Sequence, residues 1–514
     1  MSDEARIWTG DSSESFTTLR DRASRLATAL HRAGVRAGDR VAVAMRNDTA
    51  YLEVLFAMRR LGAAPVTLNW HWTGGDLAHA LTNSRSLLAV VHSDLVERVS
   101  AQAPELRIVE VEESPEVRTA YRLPMVGPTG KWPTMSELID GHEPWDEPAP
   151  PESLAVFYTS GTTGLSKGVL RKPIADADRP SFLKSAAELY HLHPGETTVE
   201  PAPLYHAAPN AHAMNAIALN VNVHVMPRFD AEAFLRLVQD HKVTTVQMVP
   251  TMFTRLLQLP EEVRRSYDVS SLKAVITAAA PCPPYVKEAM IEWLGPVVYE
   301  YYGGSEVGAF TSCDSAQALA RPGTVGTPVL DCRIRILGQD GAEKPVGEDG
   351  IIYGKVRSGW PEFTYIDDDE KRRNMENDGY LTLGDIGHLD RDGYLYLSDR
   401  LNDMVISGGV NIYPAEIEAC LQQMAGVADV AVFGIPDPAM GEALAAYIQR
   451  VPGATLTAEQ VVSHVAASLA RYKVPREIVF VDELPREDTG KLFKRLLKQP
   501  YWANDDEKKD GRTT

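Results

Sequence analysis

The sequence predicts an α/β protein built in more than one domain, and three observations carry that prediction. Short apolar runs alternate with amphipathic helical segments along most of the chain, which is the pattern of βαβ units and largely parallel sheets. The chain has 514 residues, more than one hydrophobic core ordinarily organises, so two or more domains are expected. The texture then changes twice, to β-rich near Thr324 and to a smaller α/β unit after Arg400.

The elements follow in order. Leu19, Ala23, Leu26 and Leu30 fall on one face of a helix from Phe16 to Ala33, closed by Gly34. Arg40 to Met45 reads as a strand, and Asp48 caps a second helix reaching about Leu61. Ala64 to Leu68, a helix over about Gly75–Thr82 and the strand Leu87–Val91 continue the alternation. Residues from about Ser114 to Pro151, rich in proline and glycine, read as an irregular connection. Leu154–Phe157 is a strand leading into a glycine-rich loop.

Further on, Val243–Val249, Leu272–Thr277 and Val297–Tyr301 read as strands, with helices at Thr251–Leu259 and Tyr285–Leu294 between them. Arg333–Leu337 and Gly350–Val356 are strands of the β-rich portion, where Asp-Gly pairs at Asp340, Asp378 and Asp392 mark turns. The last unit has a helix from near Pro414, strands at Val427–Phe433 and Ala443–Gln449, a helix at Ala458–Leu469 and a strand at Glu477–Val481. The charged run Asp505–Asp510 is expected to be a frayed tail.

Composition narrows the function. The net charge of −18 argues against a main role on nucleic acid, whose phosphates attract basic faces. Four cysteines without CxxC spacing make no disulfide framework, which fits a reducing, cytoplasmic setting. No signal peptide and no apolar run of transmembrane length are read from the sequence.

The loop Tyr158-Thr159-Ser160-Gly161-Thr162-Thr163-Gly164-Leu165-Ser166-Lys167-Gly168-Val169 concentrates anion-binding chemistry. Glycines let the backbone approach an anion, successive N–H groups make a concave nest, and the hydroxyls and Lys167 add donors. A plain Gly/Thr surface turn explains the same local composition. The loop lacks the Gly-Lys-Ser/Thr ending of a Walker motif, which disfavours a GTPase or kinase-type P-loop.

Five further motifs follow. They are Pro203-Leu204-Tyr205-His206; Tyr302-Gly303-Gly304-Ser305-Glu306; Thr382-Leu383-Gly384-Asp385 with Ser398-Asp399-Arg400; and Ile406-Ser407-Gly408-Gly409 running to Glu418, with Pro485 to Lys491 closing the set. With these five in order, the chain from about residue 15 to about 497 resembles the adenylate-forming superfamily, in its acyl- and aryl-CoA synthetase branch. That resemblance implies a large N-terminal domain, residues 1–400, of parallel-sheet subdomains plus a β-rich portion. It also implies a hinge at 401–402 and a small, mobile C-terminal α+β domain, residues 403–514.

The resemblance also implies a reaction: a carboxylate attacks the α-phosphorus of ATP, pyrophosphate departs, and a thiol then displaces AMP. Such transfer is mostly positioning and charge stabilisation. Thr159, Ser160, Gly161, Thr162, Thr163, Gly164 and Lys167 are the expected phosphate clamp, and Glu306 the expected Mg2+ ligand with Ser305 beside the α-phosphate. Ala278 to Pro281, with Ala279, and Glu300, Tyr301 and Tyr302 are the expected walls of the adenine slot. Strand-end packing accounts for Tyr301 equally well. Asp385 is expected on the ribose hydroxyls, Arg400 on ribose or phosphate, and Lys491 as the catalytic lysine bridging carboxylate and phosphate. Gly408 and Gly409 are expected to line the pantetheine tunnel of coenzyme A, and Asn402 stands at the hinge where the family has Asp or Lys.

The motif of Pro203 to Asn210 offers no carboxylate for an amino-acid ammonium, so a non-amino-acid substrate is expected, whether fatty, aryl or bulky polycyclic. His206 is read either as a catalytic or gating residue or as a structural loop histidine. Small residues, Ala207, Ala278, Gly303, Gly304 and Gly308 among them, are expected to leave room for the acyl group. The expected partners are a small carboxylic acid and CoA. The alternative is an enzyme that passes the acyl group to an amine or a carrier-protein thiol.

Overall fold

The computed structural model describes residues 4–124, 127–148, 150–151, 153–159, 166–401, 403–407, 410–486 and 492–510. They fall into two compact units. The first comprises Met1–Leu319, Pro328–Cys332 and Val356–Asp378; the second comprises Ala320–Thr327, Arg333–Lys355 and Gly379–Thr514.

The first unit holds two sheets. Eight consecutive strands of the larger run Gly308–Cys313, Val298–Gly304, Ala274–Thr277, Thr245–Met248, Thr197–Glu200, Asn222–Val225, Arg6–Thr9 and Ser12–Ser15. The inner pairs are parallel and the two outermost antiparallel. The second sheet runs Phe363–Tyr365, Lys167–Arg171, Val156–Thr159, Ala64–Thr67, Arg40–Ala44, Leu88–His92 and Arg107–Val111. It too is parallel in its body, with antiparallel pairs at the Phe363 side.

Period-two alternation decides how these sheets pack. Val41 and Val43 enter one core with Val223 and Ile276 and with Leu19, Leu26, Leu52 and Ile217 from helices, so one face of each sheet shares that core. The opposite faces bury Ala42 and Val91 in a second cluster, and Val246 and Met248 in a third.

Caps set the helix bounds where the sequence located them. Ser15 accepts the Thr18 N–H at 3.1 Å to start Phe16–Arg32. Asp48 accepts the Thr49 N–H at 2.7 Å to start Thr49–Leu61. The connection expected to be irregular carries two short helices, Pro115–Tyr121 and Met135–Asp140, each begun by a side-chain cap, from Ser114 and Thr134. These hydroxyl caps override a proline-rich composition.

The second unit contains an antiparallel set, Arg333–Leu337, Gly350–Lys355, Tyr380–Leu389 and Leu395–Arg400. It also contains a sheet centred on Val427–Asp437 and Gly441–Arg450, joined by Glu477–Val481 and packed by the helices Pro414–Gln422 and Ala458–Ser468. The expected frayed tail is corrected: the final helix runs Lys494–Asp510, its first half anchored through Leu497 and Tyr501 against Phe433. Among the described residues no helix is long and apolar enough to cross a membrane.

Candidate active site

Antiparallel pairing of Val156–Thr159 with Lys167–Arg171 sets Thr159 opposite Lys167, at the base of the predicted phosphate loop. Ser160, Gly161, Thr162, Thr163 and Gly164 of that loop lie outside the described residues, as do Asn402, Gly408, Gly409 and Lys491. The strand Phe363–Tyr365 pairs on the outer side, with Tyr365 opposite Val169. This addition delivers Tyr365 and Asp368 to the loop base, and Asp368 forms an ion pair with Lys167.

Glu306 stands at the same place. It lies in the turn between Val298–Gly304 and Gly308–Cys313 and is only 8% exposed. Its Oε1 accepts the Tyr365 hydroxyl at 2.9 Å and the Thr159 hydroxyl at 3.5 Å, while the Trp360 indole N–H donates to its carbonyl at 3.3 Å. Burial, reinforced by the Glu306 charge, raises the Tyr365 phenol, which keeps it a donor. The Lys371 ammonium lies 4.3 Å from the centre of the Tyr365 ring. Burial lowers its pKa, with Glu306 opposing and Lys167 adding to the effect.

The glycines beside Glu306 have specific causes. A Cβ on Gly303 would meet the Gly308 carbonyl oxygen at 1.8 Å, at a bulge where the hairpin register shifts. Gly308 has φ +71°, and a Cβ there would meet the Trp360 ring at 2.6 Å. Trp360 is itself stacked on Phe182 at 5.6 Å. A side chain in place of Gly303 or Gly308 would therefore collide with protein atoms. Gly304 and Ser305 complete the turn.

The other predicted residues of this unit line up at the carboxyl ends of parallel strands, where α/β sheets place ligands. Ala278 and Ala279 follow Ala274–Thr277, and Ala279 holds φ 74°, a left-handed conformation costly to a residue with a Cβ. Glu300 is turned inward: it is buried in an ion pair with Lys287, with 4% and 6% side-chain exposure, so its carboxylate is committed to the protein. Tyr301 packs edge-on to Tyr190 at 6.2 Å, and Tyr302 is buried beside Phe310. For both, strand-end packing is what the structure displays.

His206 is the N-cap residue of Ala207–Ala218, and its ring lies 4.3 Å from that of Tyr205. The preceding loop is fixed by Asn47, whose side chain accepts the Leu204 N–H at 2.7 Å and donates to the Ala202 carbonyl at 2.8 Å. Tyr365, Asp368, Lys371 and Trp360 are the site residues that motif reading misses. The only local signal is the acid-to-base switch from Asp367–Asp369 to Lys371–Arg373, which marks a helix start capped by Asp368.

In the second unit, Asp385 follows Gly384, whose φ is +78°. It pairs in register with Arg400, and the Arg400 Nε lies 3.3 Å from the carboxylate. Asp385 is 8% exposed, whereas the Arg400 side chain is 49% exposed and open to a further acceptor. Just beyond, Asp399 accepts the Ala415 N–H at 3.0 Å, Asp403 pairs with Lys498 at 2.9 Å and Lys494 pairs with Glu418 at 2.9 Å. Burial lowers the Lys494 pKa, but Glu418, Asp403 and Asp399 together outweigh it and hold the ammonium charged.

Thr159 and Lys167, paired across two antiparallel strands, and the sequestered Glu306 carboxylate thus meet at the two ends of the hydroxyl-rich segment 160–165. The model of the AMP-binding enzyme family matches residues 2–358, and that of the AMP-binding enzyme C-terminal domain matches 416–491. The chain belongs to the AMP-binding enzyme family. It is 32% identical, over 95% of its length and 94% of the relative's, to a Rhodococcus jostii CoA ligase named for a methyl-dioxo-octahydroindenyl propanoyl group. The ATP-bound structure of MatB from Rhodopseudomonas palustris superposes with a TM-score of 0.83 at 27% identity, covering 98% of this chain and 97% of that one. The amide bond synthetase McbA from Marinactinospora thermotolerans superposes with a TM-score of 0.82 at 25% identity, covering 96% of each chain.

Proposed function

We propose that this chain is an ATP-dependent acid–CoA ligase of the AMP-forming type. The observation that carries the reading is the Glu306 carboxylate, held by Tyr365 and Thr159 at the base of the glycine-rich loop, in a chain whose relatives match over almost its whole length. In this reading the substrate carboxylate attacks the α-phosphorus and pyrophosphate leaves. A thiolate then attacks the acyl carbon and AMP leaves, the thiol proton passing to water.

The residues take roles by their chemistry. Thr159, Ser160 to Gly164 and Lys167 receive the pyrophosphate end of ATP, with Ser305 near the α-phosphate. Asp385 accepts the ribose hydroxyls, and Arg400, already beside it, supplies a charged donor. Lys491 bridges the carboxylate and α-phosphate as charge moves between them. Gly408 and Gly409 admit pantetheine, and Asn402 lies at a hinge between residues 1–400 and 403–514.

Mg2+ fits the donor set. Among the described residues no group of three or more acidic, histidine or cysteine side chains gathers to cage a metal. A single carboxylate with substrate phosphates and water is how Mg2+ is commonly held. Glu306 would hold it, and the ion would neutralise charge on the phosphates. The protein's own contribution is to fix that carboxylate through Tyr365 and to keep Lys167 paired with Asp368 at the loop base.

The acid is a non-amino-acid carboxylate. The acyl group is assigned to Ala207, Ala278, Gly303, Gly304 and Gly308 together with the His206 end of the helix Ala207–Ala218. The likeness to an indenyl propanoyl CoA ligase favours bulky, fused-ring acids. The likeness to an amide bond synthetase supports one second reading, in which an amine takes the acyl group. The test is a panel of fatty, aryl and polycyclic acids with MgATP and either CoA or amines, read by mass spectrometry. Acyl-CoA and AMP are expected. Amides without thioester at any acid would replace the ligase reading with the second one.

A further inference from the structure

Two lysines stand near Glu306, and they differ in one respect. Lys167 is paired with Asp368. Lys371, half-buried, makes no ion pair among the described residues. Its ammonium rests on the face of Tyr365, 4.3 Å from the ring centre, and that same ring presents its hydroxyl to Glu306 at 2.9 Å. Asp368 fixes the placement of both cations. One of its oxygens holds Lys167, and the other accepts the Lys371 backbone N–H at 3.0 Å in the first turn of Asp369–Asn374. Through this one carboxylate, the loop lysine and the helix bearing Lys371 are tied together.

A desolvated cation without a carboxylate partner is costly unless an anion completes it. The ring face returns only part of its hydration. Lys167, shared with Asp368, meets a ligand from the loop base, and Lys371, which no carboxylate holds in a direct ion pair among the described residues, offers that ligand a second cation. We propose that Lys371 is an additional ligand for the β- and γ-phosphates of ATP, placed on the Tyr365 ring beside Glu306. The assignment rests on the ligase reading above, because that reading brings the triphosphate to Glu306. It makes Lys371 a binding residue for the departing pyrophosphate, and it makes Tyr365 the platform that positions carboxylate and ammonium on its two ends.

The experiment titrates the full-length protein with α,β-methylene-ATP and Mg2+, and separately with AMP, by calorimetry. The series is Lys371→Arg, Lys371→Gln and Lys371→Glu, with Glu306→Gln as reference. Loss of one charge-assisted contact weakens analogue binding about tenfold. That weakening is expected for Lys371→Gln, with a larger loss for Lys371→Glu, near-parental affinity for Lys371→Arg and unchanged AMP affinity throughout. Parental affinity of Lys371→Gln for the analogue, with Glu306→Gln impaired, would overturn this inference and leave the ligase reading standing. Equal weakening toward AMP and the analogue would overturn it too, because it signals structural damage. Unchanged analogue binding in Glu306→Gln as well would overturn it too, because it takes the triphosphate away from Glu306.

Discussion

Gly308 illustrates how much one missing side chain decides. Its φ of +71° is strained for any L-residue with a Cβ, and the Trp360 ring would lie 2.6 Å from such an atom. Gly308→Ala is therefore expected to cost about 1–3 kcal/mol, measured by denaturant unfolding. Combining it with Trp360→Leu removes the ring clash but leaves the φ strain, so the double variant should recover only part of the loss. Full recovery would mean that backbone strain contributes nothing. The sequence shows the glycines of Tyr302–Gly308 plainly, but not their reason. Trp360 is 52 positions beyond Gly308, and an indole against a backbone leaves no trace in local spacing. The same limit hides Tyr365, which reaches Glu306 across 59 positions.

Elements were legible where the local signal was strong. The helices Phe16–Arg32, Thr49–Leu61 and Ala458–Ser468 have apolar stripes and side-chain caps, and the sequence locates each to within about two residues. The strand Phe363–Tyr365 was not legible, because three residues carry no period and its partner Lys167–Arg171 is nearly two hundred positions away. That short strand nonetheless delivers Tyr365 to the site. The final helix is hidden by its charged end, which carries no apolar stripe, while its first half packs through Leu497 and Tyr501 on the Phe433 cluster. At its start Lys494 is buried among Glu418, Asp403 and Asp399. Replacing it by methionine leaves Glu418 and Asp399 without that cation, while Asp403 keeps Lys498, and is expected to cost about 3–5 kcal/mol. A melt of Lys494→Met checks this. If Glu418→Gln in the same background restores no stability, the charge account is wrong.

Over the whole molecule, stability depends on pH through groups whose burial outweighs the nearby opposite charge, as it does for Glu14 beside Arg22. Glu14 is the clearest: burial, then the nearby Glu53 charge, raises its carboxyl to about 7. The folded state therefore holds this proton more tightly than the unfolded chain, whose carboxyl titrates near 4.3. Stability from this group is fully present below about pH 4.3 and is lost as pH rises through about 7. Glu14→Gln should melt increasingly above the parent protein between those limits, with a constant gap at higher pH. A gap independent of pH would refute the shift. The fold class, the two parallel sheets and the position of Glu306 were all legible in the sequence, because alternation and motif order are written locally. The pairing of buried charges was not, because it depends on which distant elements meet.

Lys494 also bears on timing. Asp399 and Asp403 bracket residue 402, and one ammonium draws on both. If that residue turned as proposed above, a carboxylate would have to part from Lys494 and return to it afterwards, although Asp403 also has Lys498. In that event water and dissolved ions would take the place of the parted charge, so added salt would lower the cost of turning while loosening the resting pair.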